Sequence, residues 1–229
     1  MRPALKRTGW IIGAGALAGI GFGARTWSRY GKPSQGGPAD PELDRFMPTY
    51  EVREVHQIEV AAPADTTFAV TQKLDMQESP LVKAIFTGRE VLMGATRVAR
   101  EPQSFISEVK SLGWRVLAEE PGRHLVMGAV TQPWKADVQF RGLPPEEFLA
   151  FNEPGYAKIA WTLTVEPTNP TASVFRTETR VTTTDAESRK RFRRYWTLVS
   201  PGVLVIRREM LRLVRREAER QQGSSLKAG

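Results

Sequence analysis

The chain has 229 residues, 41% apolar and 25% charged, a globular mix with room for one good-sized domain and a tail. It has no cysteine, which excludes disulfides, thiolate metal sites and a cysteine nucleophile, and only two histidines, His56 and His124, so a zinc site or a histidine-based triad is poorly supplied. The formal net charge of +8, much of it from arginines between Arg189 and Arg220, points to an anionic partner or to a solvated basic helix face.

Arg2, Lys6 and Arg7 precede an uncharged stretch from Thr8 to Ala24, and Arg25, Arg29 and Lys32 come after it. As a helix this stretch spans roughly 25 Å, near the short end of what crosses a bilayer. Trp10 at one end and Trp27 and Tyr30 at the other sit where interfacial aromatics anchor a membrane helix. Residues 1–30 are therefore expected to be a single-pass N-terminal anchor, on a side of the membrane that the flanking charges leave open. A cleavable signal sequence is the alternative. Gly15, Gly19 and Gly23 make a small-residue face suited to close approach of two such helices, hence a dimer contact. The glycines from Gly13 to Gly19 mimic a dinucleotide-binding turn, but they lack the strand before and the acidic residue after it, so no nucleotide cofactor is expected.

Residues 31–49, rich in Pro and Gly, are expected to be a linker; the domain is expected over 50–222, and a Gly/Ser-rich flexible tail over 223–229. Val52 to Val60 predicts a strand, Pro63 the first turn of a short helix, and Ser79-Pro80 a second helix ending at Gly88. Trp114–Ala118 and His124–Val130 flank Glu120-Pro121-Gly122-Arg123, whose central Pro-Gly predicts a type II turn and a hairpin. Tyr156–Val165 and Ser173–Thr183 flank a second turn, and short connections predict an antiparallel sheet. Thr184 with Glu187 predicts a capping box. Beyond it Phe192, Trp196, Val199, Val203, Ile206, Met210 and Leu213 recur by fours and threes as one apolar helix face, interrupted at Pro201-Gly202. The elements predict an α+β helix-grip architecture, a curved antiparallel sheet wrapped around a long C-terminal helix.

Three stretches carry a family resemblance: His56-Gln57-Ile58-Glu59-Val60-Ala61-Ala62-Pro63-Ala64-Asp65, Phe175-Arg176-Thr177-Glu178-Thr179-Arg180-Val181, and Phe192-Arg193-Arg194-Tyr195-Trp196. With them the chain resembles the SRPBCC or START-like superfamily of polyketide cyclases, plant pathogenesis-related allergens and lipid-transfer domains, in a bacterial branch without a settled activity. The resemblance covers residues 50–222 and implies a ligand cavity between the sheet and the terminal helix. It does not imply one chemistry, because function sits in the site and not in the fold.

The candidate lining residues are Trp114, Trp134 and Trp161 on or beside strands, with Tyr195 and Ile206 on the helix; core packing is the alternative for each. Glu178 and Arg180 share a strand face with Arg176, and Phe175, Thr177, Thr179 and Val181 share the other. Facing inward, Glu178 and Arg180 would be polar contacts for a ligand; facing outward, solvated surface charges. His56 has no neighbouring carboxylate motif to make it a base, and His124, next to a turn, is expected to be exposed. Arg208, Arg212, Arg215 and Arg216 lie off the apolar stripe and would meet anionic headgroups. No metal, cofactor or nucleic-acid partner is expected. Three functions remain open: a membrane-tethered carrier or sensor of a lipid-like or polyketide-like molecule, a cyclase or dehydratase acting on one, and an interaction module that binds no ligand. Which one holds is expected to turn on whether the core is hollow or filled.

Overall fold

The computed structural model describes Trp27, Tyr30, residues 40–75, 79–82, 84, 85 and 87, and residues 104–228. Apart from Trp27 and Tyr30, the expected anchor lies outside them, as do its glycine face and the expected stop at Gly88. Among the described residues no helix is long and apolar enough to cross a membrane.

The elements run α1 (Pro41–Phe46), β1 (Val52–Val60), α2 (Ala64–Lys73), α3 (Phe105–Ser111), β2 (Arg115–Glu120), β3 (His124–Thr131), β4 (Phe140–Arg141), α4 (Pro145–Ala150), β5 (Ala157–Asn169), β6 (Ala172–Thr183) and α5 (Ala186–Ala228). Residues 80–82, 84, 85 and 87 are helical too, with the Ser79 hydroxyl accepting from the Val82 N–H as expected of a cap. The strands form one antiparallel sheet in the order β1-β6-β5-β3-β2, with β4 pairing β3. A six-stranded sheet and a long C-terminal helix make an α+β fold consistent with the helix-grip expectation.

Both predicted hairpins form. In the first, the Arg123 N–H donates to Glu120 O, and Gly122 takes a φ of 80°, the value a type II turn demands at that position. In the second, the strands run on past Pro167 to a tighter turn at Asn169. β3 pairs with β5 only up to Thr164, so the proline's missing N–H removes no bond to β3.

Strand alternation gives the sheet two faces, and both are covered. On one, the terminal helix, α2 and α3 pack against Val60, Phe175, Val165, Leu163, Trp161 and Met127. On the other, α1 and α4 pack Leu43, Phe46, Met47 and Phe148 against Val126, Val130 and Ala160. The expected linker therefore stops short of Asp40. Asp40 caps α1 by accepting from the Glu42 and Leu43 N–H groups, and Leu43 is wholly buried. Six residues with a cap and two buried apolar side chains, Leu43 and Phe46, are too short to stand out from the flanking Pro/Gly composition.

The terminal helix differs from expectation at both ends. Its cap is Asp185, not Thr184: the Asp185 carboxylate accepts from the Glu187 and Ser188 N–H groups at 2.8 Å each and from the Ser188 hydroxyl at 2.7 Å. Those bonds from Ser188, with others from Gly155 and Glu187, hold it far below the usual carboxylate range. Thr184 instead pairs with the Tyr156 backbone and closes the end of the sheet. At the other end the helix continues through 223–228, where the tail was expected to be flexible; Ser224 and Ser225 return their hydroxyls to Arg220 O and Gln221 O.

Candidate ligand-binding site

The face beneath the terminal helix carries two apolar clusters. One gathers Val60, Phe175, Leu163 and Trp161 with Met210, Leu211 and Val214 of the helix. The other gathers Val52, Ala157 and Val181 with Phe192 and Trp196. A polar belt separates them. Register pairs His56 with Thr177 and Glu54 with Thr179 across β1 and β6, and Thr179 with Trp161 across β6 and β5. From the helix, Arg207 donates to the Thr177 hydroxyl at 3.2 Å.

Ten buried side-chain atoms of the described residues lack a hydrogen-bond partner, and five belong to this helix–sheet interface: His56 Nε2, Trp134 Nε1, Thr179 Oγ1, Arg207 Nε and Ser200 Oγ. Ser200 and Arg207 lie on the helix stripe that also carries Trp196 and Val203. A buried polar atom left unpaired costs about 1–3 kcal/mol. Native proteins rarely keep five together unless water or a ligand satisfies them.

Electrostatics sharpens the belt. Burial pushes His56 down to about 4, and the charges of Arg207 and Arg208 add to the effect, so its ring is neutral at pH 7. Its Nε2 stands 3.9 Å from Glu54 Oε2, too far for a hydrogen bond. Burial also pushes the Arg207 guanidinium down, to about 10, against the pull of the Glu54 carboxylate, and it remains a cation.

All five expected lining residues lie on this side of the sheet. Trp114, Trp161 and Ile206 border the first cluster, and Trp134 and Tyr195 the second. Trp161 packs against Trp114 at 6.0 Å and Phe105 at 5.7 Å between ring centroids, so an aromatic wall adjoins the belt. Two surface hollows lined by described residues, each about 380 Å³, lie elsewhere. One is bounded by Pro63, Asp65, Arg123 and Pro170, the other by Glu59, Asn169, Arg215 and Glu219.

Glu178 and Arg180 stand on the opposite face and are not contacts of this interface. Nor are they solvated: both are 0% exposed. Glu178 accepts from Arg53 at 2.8 and 3.0 Å, from Arg180 at 2.8 Å and from Arg176 at 2.9 Å. Burial alone would raise its pKa, but the hydrogen bonds and charges of Arg53 and Arg180 outweigh burial and hold it below the usual range. Arg180 also bonds Asp44 at 2.6 Å and Met47 O at 2.9 Å, under the Tyr50 ring. His124, expected to be exposed, is buried on the same face with its Nε2 3.0 Å from Asp40 Oδ2. The buried network thus latches α1 and its flanks, residues 40–50, onto the sheet.

Alternation along β6 places Thr177 and Thr179 on this face, but the apolar spacing of the helix passes over Arg207. The signal was a basic residue four positions after Val203, on the stripe itself rather than off it as Arg208 is. Arg208, Arg212, Arg215 and Arg216 are exposed, as surface charges should be, and Arg215 pairs with Glu219.

No family model matches the chain, and no curated protein matches it. Solved structures do. A conserved protein from Geobacillus kaustophilus matches at 13% identity, covering 74% of this chain and 96% of its own, with a TM-score of 0.35. A norcoclaurine synthase point mutant from Thalictrum flavum matches at 15%, covering 75% and 97%, with a TM-score of 0.36. The Zhui aromatase/cyclase from Streptomyces sp. R1128 matches at 15%, covering 74% and 94%, with a TM-score of 0.28. These likenesses assign no chemistry to the belt, which belongs to this chain's own residues.

Proposed function

We propose that this protein binds a lipid-like or polyketide-like apolar molecule between its terminal helix and sheet, held at a membrane by its N-terminal segment. The polar belt carries this reading. Five unpaired polar atoms between two apolar clusters match a site whose hydrogen bonds are completed by an occupant.

The tether rests on the uncharged run from Thr8 to Ala24 and on the contacts of Trp27 and Tyr30 just beyond it. Arg193 covers the Trp27 ring at 3.9 Å and donates to Trp27 O at 2.6 Å, while the Tyr30 hydroxyl donates to Glu51 at 3.0 Å. A membrane segment ending there would bring the start of the terminal helix, with Trp196 and Trp134 beneath it, close to the lipid. A cyclase or dehydratase has weaker support: a base near 4 is far below the value that suits proton abstraction at neutral pH.

The test is photolabelling of the full-length protein in membranes with a diazirine-bearing sixteen-carbon alcohol, followed by peptide mapping. The reading expects adducts around Trp134, Ile159–Trp161 and Val203–Met210. Adducts confined to the N-terminal segment and the surface would leave an interaction module with a filled core.

A further inference from the structure

The unpaired atoms of the belt specify the kind of ligand. Arg207 Nε–H and Trp134 Nε1–H are donors only. Thr179 offers a hydroxyl, and the unpaired Nε2 of neutral His56 donates or accepts according to its tautomer. The neighbouring hydroxyl of Thr177 already accepts from Arg207. Such a set is rich in donors and carries a positive charge. The carboxylate that acts on Arg207 is Glu54, which stands on the β1 edge, 30% exposed, so that water screens its pull. Arg208 adds a second positive charge near His56. On either side of the donors the surface is apolar and aromatic.

Resting on the proposed function, in which the ligand lies in a groove between terminal helix and sheet, we infer that the ligand is an anionic amphiphile, whose carboxylate or phosphate is held by Arg207 with Thr179 and Trp134 while its apolar body lies along the clusters. A guanidinium's planar fork matches both anions, and a charge-assisted bond made away from water is stronger than a neutral one. Retaining a partly buried arginine whose Nε is enclosed without a partner is costly unless that partner arrives from outside.

The experiment repeats the photolabelling of the full-length protein with three matched sixteen-carbon diazirine probes: a carboxylate, a phosphate monoester and the neutral alcohol. The inference expects either acid to label the groove at least about tenfold more than the alcohol, the worth of one charge-assisted hydrogen bond. Arg207→Gln should abolish that preference while leaving labelling by the alcohol in place. Whichever acid labels more strongly identifies the headgroup class. Equal labelling by acids and alcohol in the wild type overturns the inference and leaves the groove reading intact; no groove labelling by any probe overturns both. Displacement of the acids by inorganic phosphate alone would also overturn it, since the site would then serve a free anion. If Arg207→Gln fails to accumulate, Arg207→Lys serves in its place: it should keep acid above alcohol, and loss of the order would contradict the assignment.

Discussion

Arg207 reaches Thr177 across the gap between terminal helix and sheet, a 3.2 Å bond from a partly buried guanidinium to a neutral hydroxyl. An arginine so placed works against folding. Arg207→Met should therefore raise the unfolding free energy by roughly 1 kcal/mol, since a partly buried, incompletely hydrogen-bonded charge is exchanged for an apolar side chain of similar length. Urea titration in the absence of added ligand measures it. A loss of stability would mean that Arg207 is structural, through Glu54.

Glu178 is the opposite case, a carboxylate among three arginines at full burial. Glu178→Gln should destabilise the fold by about 3–5 kcal/mol, because it removes the buried carboxylate charge that three arginines share. A shift under about 1 kcal/mol in the same titration would contradict the network's described role.

Truncation should locate the domain's true start. A chain beginning at Tyr50 lacks Asp40, Asp44 and the Met47 carbonyl, and so uncovers Arg180 and His124. It should lose its cooperative melt, whereas a chain beginning just before Asp40 should keep one. Equal melting temperatures for the two would mean that residues 40–49 are a linker after all.

Stability should fall with acid in two stages. His56 binds its proton less readily folded than unfolded, so the unfolded state gains protons first as pH drops through about 6.5, and the loss continues to about 4. With the ring at the β1 edge, facing Glu54, Arg207 and Arg208, this stage is worth roughly 2 kcal/mol or less. His56→Gln should remove it. Asp40 and Glu178 have lowered folded values, so their contribution is complete above the ordinary carboxylate range and is lost below it. A wild-type profile flat from about pH 7 to about pH 4.5 would refute the His56 stage.

The terminal helix should separate its two faces on mutation. Ile206 packs against the first cluster, so Ile206→Asp should cost roughly 3 kcal/mol or more. Arg212 and Arg216 are exposed, and replacing both by serine should leave the melt unchanged while weakening adhesion to anionic vesicles by roughly 1 kcal/mol per arginine. Co-sedimentation at low salt, with a chain lacking the N-terminal segment, reads the second effect; unchanged binding would mark a solvated face only.

What could be read from the sequence was what repeats. Alternation on β6 placed Phe175, Thr177, Thr179 and Val181 on one face, and the fours and threes from Phe192 to Leu213 marked the helix that covers them. What could not be read was what arrives from a distance. Burial of Glu178, Arg180 and His124 depends on α1, more than a hundred residues away from the two strand-β6 residues, and charge alternation alone makes such a face look solvated. Arg207 matters because nothing pairs its Nε, which no periodicity expresses. Asp185 displaced Thr184 as the cap because Thr184 was already committed to the Tyr156 backbone.

The central claim, an occupied site between terminal helix and sheet, is met most directly by mass spectrometry of small molecules retained by the full-length protein when it is extracted with its surrounding membrane in a polymer disc. Wild type is compared with Thr179→Phe, which fills the belt at a cost of about 1–3 kcal/mol. The account predicts one acidic amphiphile near equimolar with the wild-type protein and depleted in the variant. The same lipid mixture in both samples, with no enriched species, would contradict it.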